Sequence, residues 1–138
     1  MQNKKALAVF CCLVFLPVLL GCARRNAIDT HYLNVDYTDR IDIDEAKTIA
    51  KKELLNQGQH YYYRLTAPHV VQDARTQKYP DLWFVSFDPK AVSKTTFGNY
   101  LVIVEKETGN ILFSNAYDPR LEKDFDWAMR NVRNTQQQ

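Results

Sequence analysis

Residues Ala6 to Leu20 carry no charged or strongly polar side chain, and they follow a short basic start with Lys4 and Lys5. A stretch of that kind cannot take part in a half-solvated domain surface, so it divides the chain before any fold is considered. As a helix the run measures about 22 Å at ~1.5 Å per residue, short of a hydrocarbon core of about 30 Å. Pro17 interrupts it further. A stable membrane span is therefore the weaker reading, and the basic start followed by an apolar run reads as an export signal.

The apolar run ends in Leu19-Leu20-Gly21-Cys22, which resembles the lipobox of bacterial lipoproteins. The resemblance implies a diacylglycerol on the thiol of Cys22 and cleavage just before it, with Gly21 small enough for the peptidase subsite. Residues 1–21 are then the signal peptide, and two or more acyl chains on Cys22 suffice to hold a protein at a membrane. In Gram-negative lipoproteins an Asp after the cysteine retains the protein in the inner membrane; Ala23 stands here, which implies the outer membrane with the domain facing the periplasm.

Removing the first 21 of 138 residues leaves 117 and takes Lys4 and Lys5 from the 18 basic residues, so 16 basic face 16 acidic side chains. Cys11 and Cys12 leave with the signal and Cys22 is esterified, so no disulfide is expected. Zero net charge offers no concentrated basic surface for nucleic acid.

Residues 22–40 are polar and mixed in charge and read as a tether, although Tyr32, Leu33, Val35 and Tyr37 are apolar enough to lay part of it on the domain as an extended strand. Arg24 and Arg25 lie within reach of anionic headgroups but suit a solvated tether better. The domain is placed at residues 41–134 and a fraying tail at 135–138.

Asp42 with Glu45 forms a capping-box pattern, Ile43, Ala46, Ile49, Ala50 and Leu54 recur at helical spacing, and Gly58 supplies a stop. These signals predict a helix over Asp44–Gln57. The period then changes to two. Strands are expected over His60–Ala67, Val70–Ala74 and Leu82–Phe87, the last covered on both sides. Tyr100–Glu105 and Ile111–Asn115 form a hairpin whose Gly109 takes the left-handed conformation. A second helix is expected after Asp118 as cap and Pro119 in its first turn, with Leu121, Phe125, Ala128, Met129 and Val132 as its apolar stripe.

The fold class is thus α+β: an N-terminal helix on a curved, three- to four-stranded antiparallel sheet, plus a C-terminal helix. Asp44 to Ala50, Trp83-Phe84-Val85, Tyr100 to Val104 and Thr108-Gly109-Asn110-Ile111 look like the cystatin-like and NTF2-like small domains, among them PepSY-type domains and NTF2-fold immunity proteins. The resemblance spans Ile43 to Phe113 and implies a domain that binds or inhibits a partner rather than one that catalyses. The helix after Asp118 departs from the short cystatin-like pattern.

No HExxH, GxSxG, SxxK or P-loop pattern occurs. His31, His60 and His69 have no metal-site spacing, and the carboxylates near helix starts are explained by capping. No catalytic residue, metal or cofactor is assigned, and a small hydrolase is the least favoured class. The unusual local feature is Tyr61-Tyr62-Tyr63 followed by Arg64. In a strand Tyr61 and Tyr63 would share one face and Tyr62 the other. Tyrosine gives large amphipathic contact area at small entropic cost, so Tyr61, Tyr62, Tyr63 and Arg64 form the candidate binding surface, flanked by His60 and the Lys90–Gly98 loop; the simpler alternative is that the rings merely cover the sheet.

The expected partner is a protein, with the membrane engaged through lipid on Cys22. The function is either inhibition of a toxin or cell-wall hydrolase, as an immunity protein, or service as an accessory lipoprotein of an envelope assembly or secretion machine. Cys22→Ser is expected to abolish palmitate labelling and release the protein from the membrane fraction; a variant that still labels and still sediments with membranes overturns the anchor.

Overall fold

In the computed structural model, residues 35–91 and 98–137 are described. The signal, Cys22 and most of the expected tether, together with residues 92–97 of the polar loop, lie outside them. The compact unit that contains these residues runs from Val35 to Gln138.

Its elements are helix α1 (Ile43–Asn56), strands β1 (His69–Val70), β2 (Leu82–Phe87), β3 (Asn99–Glu105) and β4 (Ile111–Tyr117), and helix α2 (Glu122–Thr135). The strands form one antiparallel sheet in the order β1-β2-β3-β4. The architecture is α+β, a four-stranded antiparallel sheet with two helices.

The sheet separates two apolar layers by the period of two. Val85 and Phe87 of β2 and Tyr100, Val102 and Val104 of β3 face α1, which buries Ala46, Ile49, Ala50 and Leu54 against them. The intervening Leu82, Phe84, Leu101 and Ile103 face the other way and meet Phe125, Ala128, Met129 and Val132 of α2. A helix therefore covers each face, and truncating a core residue such as Leu54 to Ala removes packing worth about 2–5 kcal/mol.

Helix α1 starts where its capping box predicts. Asp42 Oδ1 accepts from the Asp44 and Glu45 amides at 2.8 Å each, and Glu45 Oε2 accepts from the Asp42 amide at 3.0 Å. The other Glu45 oxygen takes the Asp36 amide at 2.8 Å, tying residues before the helix to its first turn. Ile41 joins this end to the sheet: its N–H donates to Lys106 O at 2.7 Å and its carbonyl accepts from Trp83 Nε1 at 2.8 Å. Lys106 Nζ lies 4.0 Å from the Trp83 ring centroid, a cation–π contact over that junction.

Three local expectations are corrected. His60–Ala67 is not a strand: Gln59–Tyr61 is a 3-10 turn, and the segment touches a ladder only through the Tyr63–Pro89 bridge. Gly58, at φ 67°, turns the chain back, and the Tyr62 and Tyr63 amides donate to Gln59 O, so those groups are satisfied locally. Of the expected strand Val70–Ala74 only Val70 lies in a strand, the two-residue β1, because Asp73 Oδ1 accepts from the Arg75 and Thr76 amides and begins a second 3-10 turn at Thr76–Lys78. Asp118 does not cap α2. Its carboxylate accepts from the Arg120 backbone and guanidinium, which hold it down to a pKa of about 2, and the helix begins after Leu121 with no side-chain cap.

The β3–β4 hairpin turns at Gly109, at φ 73°, and its register shifts between Ile103 and Val104, so Leu112 has no opposite residue. A Cβ on Gly109 would stand 2.7 Å from Tyr37 Cε1. Gly109→Val is expected to cost roughly 1–3 kcal/mol through the left-handed backbone, read as a lowered thermal midpoint. Tyr37→Ala should relieve only the contact part of that loss; full recovery in the double variant would place the whole effect on Tyr37 rather than on the backbone.

Candidate functional site

The candidate surface begins at Gly58, which ends α1 and delivers the tyrosine run beside the sheet. Arg64 N–H donates to Asp88 O at 2.9 Å and Lys90 N–H to Tyr62 O at 2.8 Å, so residues 62–64 are held against the chain that leaves β2. Lys90 Nζ donates to His60 O at 2.6 Å, closing the same junction from its side chain. The backbone under the aromatic run is thus fixed by hydrogen bonds on both sides.

The three tyrosines do not alternate across a sheet. Tyr63 is 1% exposed and belongs to the α1-side core, with its ring 5.2 Å from that of Tyr100. Tyr61 and Tyr62 are exposed, at 69% and 47%, and Arg64 is exposed beside them. The His60 and Tyr61 rings are 4.1 Å apart between centroids. In place of one ring facing away from two, the turn presents two adjacent rings outward and drives the third inward as an anchor. That pairing follows from the 3-10 geometry and is invisible to a period-of-two reading.

Next to these rings is a half-open pocket of about 420 Å³. Gln57 and Gln59 line it from the end of α1, Tyr62 and Tyr63 from the turn, and Tyr100 and the stretch Ser114–Ala116 from the sheet. Tyr100 and Ser114 pair through their hydroxyls at 2.8 Å. Burial pushes the Tyr63 and Tyr100 phenols above their ordinary pKa, aided in Tyr63 by Tyr100 and opposed in Tyr100 by the Ser114 bond, so both remain neutral hydroxyls. Composition does not reveal this pocket: Gln57, Gln59 and Asn115 are ordinary polar residues until the fold gathers them. A signal existed only in Tyr62 and Tyr63.

Elsewhere, His60 Nδ1 is buried without a hydrogen-bond partner, and His69 is exposed on β1. Among the described residues no three His, Cys, Asp or Glu side chains gather as a metal site would require. Among them, too, no helix is long and apolar enough to cross a membrane. Comparison with protein families, curated proteins and solved structures yields no match to this chain.

The different placements of the tyrosines give a contrast. Tyr63→Ala empties a core site and is expected to cost about 3–5 kcal/mol, as for a buried aromatic. Tyr61→Ala should stay within about 0.5 kcal/mol of the parent, as at an exposed site. Denaturant unfolding checks both, and equal losses would contradict the inward and outward assignment.

Proposed function

We propose that this chain is a non-enzymatic lipoprotein of the bacterial outer membrane, anchored through Cys22, whose periplasmic domain is a protein-binding module of cystatin-like or NTF2-like kind. Its role on this reading is that of an immunity or inhibitor protein that neutralises a toxin or a cell-wall hydrolase. The observation that carries the reading is the exposed pair Tyr61 and Tyr62 beside Arg64, displayed on a backbone pinned at Tyr62, Arg64 and Lys90. Exposed tyrosines with an arginine are the residue types that dominate protein interfaces. A pre-fixed backbone lowers the ordering cost of binding. The lipid anchor and the domain then divide the work: the first sets location and the second selects the partner.

Cells lacking the chain are expected to become sensitive to one specific toxin. The parent protein should restore resistance and the Tyr61→Ala, Tyr62→Ala double variant should not, while its thermal midpoint stays near that of the parent. Unchanged survival of the deletion strain against every toxin encoded near the gene removes the immunity role, and full rescue by the double variant removes the aromatic pair from it.

A further inference from the structure

The pocket beside the aromatic pair has a chemistry of its own. Gln57 Nε2 is engaged with Glu53 Oε1 at 2.9 Å, which leaves Gln57 Oε1 as an acceptor, and Gln59 Nε2 is turned to Gln57 O at 3.4 Å, which leaves Gln59 Oε1 likewise. Asn115 Oδ1 accepts from the Ala116 amide at 2.8 Å, so its Nδ2 remains as a donor. Tyr63 lines the pocket as well, and its hydroxyl can donate there.

None of the lining side chains is charged, and the volume of about 420 Å³ falls in the range of small-molecule sites. Two carboxamide acceptors, a carboxamide donor, a phenol donor and the half-exposed ring of Tyr62 match a ligand that is neutral, rich in hydroxyls and able to lay a C–H face on an aromatic ring. We infer that this pocket binds a neutral saccharide, with Tyr63 Oη as one of its donors. An extended peptide adding to the β4 edge fits less well, because the Ala116 amide of that edge is already satisfied by Asn115. The inference shares Tyr62 with the proposed protein-binding surface and takes its polar groups from residues outside that surface.

The test is calorimetric titration of the full lipidated chain in detergent micelles with chitotetraose, cellotetraose and, as an acidic control, tetragalacturonate. At least one neutral tetrasaccharide is expected to bind at least tenfold more tightly than the acidic one. Preference for chitotetraose identifies an N-acetylated amino-sugar chain, and preference for cellotetraose a plain hexose chain. Tyr63→Phe keeps the core ring and removes only the hydroxyl, so it should weaken binding roughly 3- to 10-fold; Gln57→Ala, at a more open position, should do the same.

No heat from either neutral sugar at about 10 mM, where a millimolar Kd would already saturate, overturns the proposal. So does unchanged affinity in both variants, or binding of an uncharged extended peptide in place of the sugars. The titration contains no protein partner and the toxin assay no sugar, so failure of one reading leaves the other measurable.

Discussion

Everything in this domain depends on two central strands that are apolar on both faces. β2 and β3 are buried along nearly their whole length, and a strand buried on both sides must be covered by two layers. Helices α1 and α2 are those layers, one for each alternate set of side chains. The single polar residue inside β2, Ser86, is fully buried and is satisfied by Asn99 Nδ2 at 3.1 Å and by the Tyr117 phenol. Burial raises the Tyr117 pKa, with the Ser86 bond pulling the other way, so this partner stays a neutral hydroxyl.

The same constraint positions the candidate site. α1 lies over β2 and β3, and Gly58 turns the chain at its C-terminal end beside Ser114–Ala116 of β4. Tyr63 then fills the corner between α1 and Tyr100, while the preceding and following hydrogen bonds leave Tyr61 and Tyr62 no route inward. The pocket is the remaining space between that corner and the edge strand.

Electrostatics contributes locally rather than globally. The Asp73–Arg75 pair, at 2.7 Å and about one-third exposed on each side chain, shapes the turn before β2, and the same guanidinium lies 5.1 Å from the Phe125 ring centroid. Desolvation opposes the charge on Asp73, but the Arg75 and Thr76 hydrogen bonds outweigh it and its carboxyl sits below the ordinary range. At the surface the Arg40–Asp81 pair is exposed on both sides and adds little. Fold selection therefore falls to burial, and these pairs trim the ends of elements.

Local physics in the sequence determined the elements whose signals are short-range. The Asp42/Glu45 capping box, the Gly58 stop, the Gly109 turn and the both-faces-apolar β2 all reappear, because a cap, a left-handed glycine and a period of two involve neighbours within a few residues. Tertiary structure decided where the third ring of the tyrosine run goes, and competing local partners decided the rest. The run Tyr61-Tyr62-Tyr63 has strong strand propensity, yet the Tyr62 and Tyr63 amides close on Gln59 and the third ring is drawn into the core beside Tyr100. Asp118 has a cap's side chain and a proline after it, yet the nearer guanidinium of Arg120 takes the carboxylate first. Propensity describes what a residue prefers when nothing else competes; at both places a specific partner, fixed only by the packed sheet or by the turn, competed and won.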